Sequence, residues 1–267
     1  MSQTNVTSQT KERNAALRPE RVACFVTGTD TGVGKTHASA TLLHALHHGG
    51  YSTTGMKPVA SGGEWLDERW QNDDVEQLRA AGSVIAPQEE MCPFLMRMPV
   101  SPHLAAAMEG MRIAPEPILD AFHALQGRAD AVVVEGVGGF QVPLDVGAAR
   151  WSTADLAVML GLPVVMVVGV RLGCLSHAML TAESIRARGL RLAGWIANRI
   201  DPDMLLPDEN IVTLIDMLGA LGVPLLGQLP WQVAPAIAAS QLDLGPLYAT
   251  IRDMERMGQP STTEYEN

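Results

Sequence analysis

The apolar positions of this chain fall in short unbroken runs rather than in alternation. Val22–Val26, Ala131–Val134, Pro163–Val168, Leu192–Ala197 and Pro224–Leu229 are such runs, bounded by polar or glycine-rich residues, and Thr53–Val59 is a sixth segment of similar length. Strands that are apolar throughout are buried on both faces, as in a parallel sheet covered by helices. The segments between them carry helical signals. These are Lys35–His48, closed by Gly49-Gly50, then Asp73–Ala81, Ser101–Glu109, Ile118–Leu125, Thr153–Leu160, Leu175–Arg188 and Glu209–Leu221. The polar, tryptophan-containing stretch Ser61–Asn72 reads as a loop. The pattern predicts an α/β fold with a mostly parallel central sheet flanked by helices. No internal repeat or long linker divides it, so 21–257 is expected to be a single α/β domain. A disordered polar arm over 1–20 and a frayed tail over 258–267 would flank it.

Composition narrows the class. With 267 residues and 47% hydrophobic content the chain can bury a substantial core. No apolar stretch approaches the ~20 residues that span a bilayer, and Met1–Thr10 lacks the apolar centre of a signal peptide. A net charge of −10 argues against a nucleic-acid surface, which needs clustered Lys and Arg. Cys24, Cys92 and Cys174 show no paired spacing and read as reduced thiols of the core. A soluble cytoplasmic protein with small-molecule partners, and with neither nucleic acid nor membrane among them, is the expectation.

The chemistry begins where the first strand ends. Gly28-Thr-Asp-Thr-Gly-Val-Gly-Lys-Thr36 lies between that strand and the helix starting at Lys35. Strand, glycine-rich turn and helix in this order make a phosphate cradle. Backbone amides and the helix N-terminus face the anion, Lys35 adds a charge, and the Thr36 hydroxyl can ligate magnesium. The strict spacing would put glycine at position 29, where Thr29 stands, with the glycine one residue earlier. The context of strand and helix carries the reading, a P-loop NTPase-like fold that uses a nucleoside triphosphate. A dinucleotide-binding oxidoreductase is excluded, since its loop would read Gly-x-Gly-x-x-Gly without lysine.

In an open parallel sheet the ligand sits beyond the carboxyl ends of the strands. The second strand run delivers Lys57 and Ser61 there, the third Glu135 and the turn Gly136–Gly139, the fourth Gly169–Cys174, and the fifth Asn198. Glu135 ends a buried strand, so it needs either a metal ion or a paired lysine. Asp74 either joins a metal site or caps the helix it begins. Lys57 either meets an anion or snorkels to solvent. His44 and His48 have metal-pair spacing but no third ligand, and read as a solvated helix face; the fourteen methionines read as core.

Six segments together resemble one family. Gly28–Thr36, Lys57-Pro-Val-Ala-Ser-Gly62, Val134-Glu-Gly-Val-Gly-Gly139, Val168-Gly-Val-Arg-Leu-Gly-Cys-Leu-Ser-His-Ala178, Gly194-Trp-Ile-Ala-Asn198 and Gly227-Gln-Leu-Pro-Trp231 are similar, in order and spacing, to those of dethiobiotin synthetases. The resemblance runs from about Val22 to Trp231. It implies ATP-dependent carboxylation and ring closure of 7,8-diaminononanoate to dethiobiotin, through a carbamate and a mixed carbamic–phosphoric anhydride, in a homodimer. It also implies roles. Lys57, Lys35 and Thr31 would be catalytic. ATP would meet Gly28, Thr29, Asp30, Thr31, Gly32, Val33, Gly34, Lys35, Thr36, Glu135, Asn198 and Pro230. Magnesium would bind Thr36, Asp74 and Glu135. The substrate would meet Lys57, Ser61 and Gly138 and, from the partner subunit, Arg171, Leu172, Gly173, Cys174 and Ser176. Arg171 and Ser176 replace the family's usual Lys and Asn, and the acid often found at Gly32 is absent. Two rivals share the loop. A partitioning-type ATPase switch would carry a further lysine near the loop's start, and a cobyrinic-type amide ligase would need a glutaminase domain after Trp231.

Overall fold

The computed structural model describes residues 18–147 and 150–258. Its centre is a six-stranded sheet built from β1 (Val22–Gly28), β2 (Thr53–Met56), β7 (Ala131–Gly139), β10 (Val164–Val170), β11 (Leu192–Arg199) and β12 (Leu225–Leu229). Four short strands lie between β2 and β7 in sequence or pair off the main sheet: β3 (Val59–Ser61), β4 (Glu64–Leu66), β5 (Arg69–Gln71) and β6 (Phe94–Met96); β8 (Pro143–Asp145) and β9 (Trp151–Ser152) form a further pair. The main sheet runs β12-β11-β10-β1-β7-β2. Every pairing in it is parallel, so the fold is the α/β arrangement expected from the apolar runs. The interior positions of β1, β7 and β10 are almost wholly buried, which requires helices on both faces. β1 sits between β7 and β10, and the chain leaves it first toward one edge and later toward the other. That reversal opens a crevice at its carboxyl end, where Gly28 pairs with Gly139.

Local chemistry fixes the flanking helices. Asn72 caps Asp73–Ala81 by accepting from the backbone of Asp74 and Val75. Ser152 and Asp155 form a reciprocal capping box on Thr153–Leu160, and Gly161 closes that helix in the left-handed conformation. The helices Lys35–His48 and Cys174–Ala187 follow β1 and β10 and start at glycines with positive φ.

Three regions depart from the sequence expectation. The run Thr53–Val59 breaks at Lys57-Pro58, so β2 stops at Met56 and β3 pairs instead with β6. The stretch read as a loop contains an antiparallel hairpin, β4 with β5, turning at Asp67 and Glu68, both with positive φ. Such turns are ordinarily signalled by Asn or Gly, which is why the sequence did not announce it. A final helix, Gly245–Gly258, carries no flag in the sequence beyond its apolar face.

The arm assigned to 1–20 is described only from Arg18. There it is pinned: the Tyr51 hydroxyl donates to the Pro19 carbonyl at 2.6 Å, and the Arg18 guanidinium lies 4.1 Å over the Tyr51 ring. Arg252 of the last helix donates to the Arg18 carbonyl at 2.7 Å. Residues 1–17 and the tail 259–267 lie outside the described residues. Cys24, Cys92 and Cys174 are buried free thiols, as expected. Among the described residues no helix is long and apolar enough to cross a membrane.

Candidate active site

Four side chains from four elements meet at the carboxyl edge of the sheet. Thr36 opens the helix after β1, Lys57 follows β2, Asp74 lies in the first turn of the helix that Asn72 caps, and Glu135 lies inside β7. Lys57 Nζ donates to Asp74 Oδ2 at 2.8 Å and to Glu135 Oε1 at 2.6 Å. Thr36 Oγ1 lies 2.7 Å from Asp74 Oδ1 and 2.8 Å from Glu135 Oε1. A hydroxyl carries one proton, so only one of those two contacts is a hydrogen bond at any moment. The second is an oxygen held against an oxygen. Glu135 is fully buried, and its Oε2 is enclosed without a partner. Three oxygen donors converging with acceptor capacity to spare fit a hard divalent cation that takes its remaining ligands from water and phosphate.

The charges shape one another. Burial works against the Lys57 ammonium, but Glu135 and Asp74 outweigh it and hold the pKa up to about 12. Burial likewise opposes the Asp74 carboxylate, and the Lys57 charge and hydrogen bond overcome it, so its pKa is lowered. Lys35 has no such carboxylate in contact. Burial first, then the nearby Lys57 charge, bring it down to about 8. Among the described residues its side chain donates to the Asp30 carbonyl alone, at 3.2 Å. Lys35 is thus the cation with the most to gain from an arriving anion.

Both lysines line one cavity of about 430 Å³, together with Thr31, Gly32, Gly34, Thr36, Ser61, Asp74, Glu135 and Gly138. The loop above it is tightly packed. Gly34 has φ +80°, and a Cβ there would fall 2.1 Å from Asn198 Nδ2. Asn198 is itself buried and donates to the Val33 carbonyl at 2.9 Å. At Gly28 an added Cβ would meet Val33 Cγ2 at 2.6 Å.

Most of the chain is similar to known proteins. A family description of an AAA domain (AAA_26) matches residues 23–235. Over 233 residues the chain is 54% identical to the ATP-dependent dethiobiotin synthetase BioD of Ralstonia nicotianae, covering 86% of this chain and 99% of that protein. This chain belongs to the dethiobiotin synthetase family. A second dethiobiotin synthetase, from Aromatoleum aromaticum, is 53% identical over 83% of this chain and 97% of its own length. The MinC:MinD cell division protein complex of Aquifex aeolicus overlays with a TM-score of 0.49 at 17% identity, covering 90% of this chain and 98% of that one.

Within this synthetase family member, the residues expected at the site fall into two groups. Thr31, Gly32, Gly34, Lys35, Thr36, Lys57, Ser61, Asp74, Glu135 and Gly138 border the cavity. Asp74 is not the helix cap, because Asn72 fills that role, which leaves its carboxylate for the cavity. The second group stands outside it. Gly28, Thr29, Asp30 and Val33 form the frame of the loop, the Thr29 amide donating to Val167 at 3.1 Å. Asn198 lies beneath the loop, and Pro230 follows β12. Arg171, Leu172, Gly173, Cys174 and Ser176 make the turn after β10 and the start of its helix, and none of them borders this chain's own cavity. Leu172 is 90% exposed there. Arg171 reaches the loop instead, its Nη2 lying 2.6 Å from Asp30 Oδ2. The sequence reasoning passed over His37, which also borders the cavity. Burial lowers the pKa of its imidazole. Its position directly after Thr36, on the first turn of the phosphate-loop helix, was the available signal.

Proposed function

We propose that this chain forms dethiobiotin from 7,8-diaminononanoate, carbon dioxide and ATP, and that Lys35, Lys57 and the surrounding loop carry the chemistry. The observation that supports this reading is the pair of buried ammonium groups bordering one cavity. An amine of the substrate captures carbon dioxide as a carbamate anion, which Lys57 and Lys35 hold in place. The carbamate oxygen attacks the γ-phosphorus of ATP, breaking its bond to the bridging oxygen, so that ADP leaves and the carbamic–phosphoric anhydride is formed. The second amine then attacks the carbamoyl carbon, closes the cyclic urea and expels phosphate. Phosphoryl transfer asks the protein chiefly for in-line placement and for neutralisation of the equatorial oxygens. Lys35, the amides from Thr31 to Thr36 and the Thr31 side chain provide both. Loss of one well-aimed donor would raise the barrier by about 2.7–4 kcal/mol. A magnesium ion held by Thr36, Asp74 and Glu135 would supply further charge neutralisation on the phosphate oxygens.

The exposed turn from Arg171 to Ser176 is assigned to a partner subunit's cavity in a homodimer. Backbone amides at the start of a helix suit a carboxylate tail, and neither Arg171 nor Ser176 removes them. The protein would act in the cytoplasm.

The test supplies ATP, magnesium, bicarbonate and diaminononanoate and looks for the cyclic urea by mass spectrometry. Product that depends on both ATP and diamine is expected. ATP hydrolysis that proceeds equally without the diamine, with no cyclic urea formed, overturns the proposal in favour of a nucleotide switch.

A further inference from the structure

Beyond β2 the chain borders the cavity at Ser61, the last residue of β3, and leaves it through the hairpin β4–β5. It returns at Asp74, in the first turn of the helix Asp73–Ala81. Asn72 ties the departure to the return. Its side-chain oxygen accepts from the Asp74 amide at 3.1 Å and from the Val75 amide at 3.5 Å. Its side-chain nitrogen donates to the Ser61 carbonyl at 3.2 Å and reaches the Gly62 carbonyl at 3.5 Å. A carboxamide has one accepting end and one donating end. Turned over, it would set N–H against N–H and oxygen against oxygen, so the helix start and the strand end fix its orientation.

Capping the helix uses only the oxygen of Asn72. Aspartate and serine cap equally well, so the cap alone does not call for asparagine. The nitrogen is what distinguishes it, because a carboxylate cannot donate and a serine hydroxyl is too short to span to the strand end. Ser61 is a place where such a tie matters. Among the described residues its hydroxyl makes no hydrogen bond, so only its backbone is held. β3 has three residues, Ser61 pairing with Met96 of β6, and at Gly62 the chain turns away with φ +84°. The Gly63 amide donates to the Met96 carbonyl at 2.9 Å, and Asn72 holds the carbonyls of Ser61 and Gly62.

We infer that Asn72 is a positioning residue for two parts of the reaction centre, its oxygen setting Asp74 and its nitrogen setting Ser61. The inference rests on the metal role proposed above for Asp74 and on the substrate contact expected of Ser61. Asn72 itself touches neither metal nor substrate. Its two ends act on different steps, and substitutions that remove one end at a time separate them.

The test compares the full chain with Asn72→Ser, Asn72→Asp and Asn72→Ala. Serine and aspartate keep an acceptor for the helix and lose the donor, while alanine loses both. Amide hydrogen exchange without ligand, read by mass spectrometry, reports the structural effect. In the serine and aspartate variants residues 61–66 should exchange about threefold faster or more, with residues 73–78 within about twofold of the parent. In the alanine variant both segments should exchange faster. In turnover, serine and aspartate should raise the KM for diaminononanoate about fivefold and leave the half-saturating magnesium within about twofold. Alanine should also raise the magnesium requirement, by about fivefold. Serine and aspartate variants with parent-like exchange at 61–66 and parent-like KM overturn the inference, because the residue is then a helix cap and nothing more. Equal acceleration of both segments in all three variants overturns it as well. If the alanine variant does not fold, the other two decide. A parent that forms no cyclic urea would count against the proposed reaction, a separate result, and the exchange rates would still decide whether Asn72 holds both segments.

Discussion

Replacing Lys57 by methionine keeps the length of the side chain and removes the charge that Asp74 and Glu135 share. Glu135 is then a fully buried carboxylate without a cation, because Lys57 supplies its ion pair. Breaking a buried pair from one side costs roughly 3–5 kcal/mol. The rise of the Lys57 pKa from 10.5 to about 12 gives a consistent lower figure, about 2 kcal/mol at ~1.36 kcal/mol per unit, for the gain from the charged lysine alone. At roughly 2–4 °C per kcal/mol the midpoint should fall by about 6–20 °C. Circular dichroism melts without nucleotide at pH 7.5 measure it. The pH dependence has a definite sign. A lysine whose folded pKa is raised stabilises fully below 10.5 and loses that contribution as pH climbs through about 12. The gap between parent and variant should therefore be constant at neutral pH and shrink above 10.5. The double variant Lys57→Met/Glu135→Gln removes both charges and should melt above the single methionine variant. A single variant within 2 °C of the parent, or a double variant no more stable than the single one, would refute the reasoning.

Glu135→Gln keeps the shape of the site but removes one anionic oxygen donor, so turnover should need several-fold more magnesium; an unchanged metal titration takes Glu135 off the donor set. Lys35, brought down to about 8 mainly by burial, should regain its proton when a polyphosphate arrives. ADP binding is then expected to take up about 0.9 proton at pH 9 and about 0.2 at pH 7.5 if the bound value returns to the ordinary one. Calorimetry in buffers of different ionisation enthalpy reads this, and uptake equal at both pH values contradicts it. Gly34→Ala combines a positive φ with a 2.1 Å approach to Asn198 Nδ2 and should weaken ADP binding at least tenfold. Binding within threefold of the parent would mean that the loop yields easily.

The sheet was legible because its strands are apolar on both faces, and its mostly parallel pairing because helical segments lie between them; the order of the strands was not. The phosphate loop and the acid inside β7 were legible for a related reason, since a glycine-rich turn or a charge is conspicuous after four buried residues, although the strand runs on past Glu135 to Gly139. Asp74 was ambiguous because an acid at the start of a helix can cap it as readily as it can face a site. Only the fold shows that Asn72 takes the cap. The β4–β5 hairpin was hidden because Asp67 and Glu68 adopt positive φ without the glycine that usually advertises it. Lys57 was foreseen as facing an anion, but the anions it meets in this structure are the protein's own carboxylates. Pairings between residues 78 positions apart leave no trace in local sequence.

The contact between Arg252 and the Arg18 carbonyl has a practical consequence. It brings the first described residues and the last helix to one corner, at the amino edge of β1. Seven residues of extended chain, about 23 Å at ~3.3 Å each, separate that corner from the phosphate loop. A fluorophore or resin joined beside Arg18 or on the outer face of the last helix would stand at the opposite pole of the molecule and leave the entrance to the cavity clear. The same proximity makes a short linker from the last helix to Arg18, with new ends opened elsewhere, a realistic rearrangement of the gene.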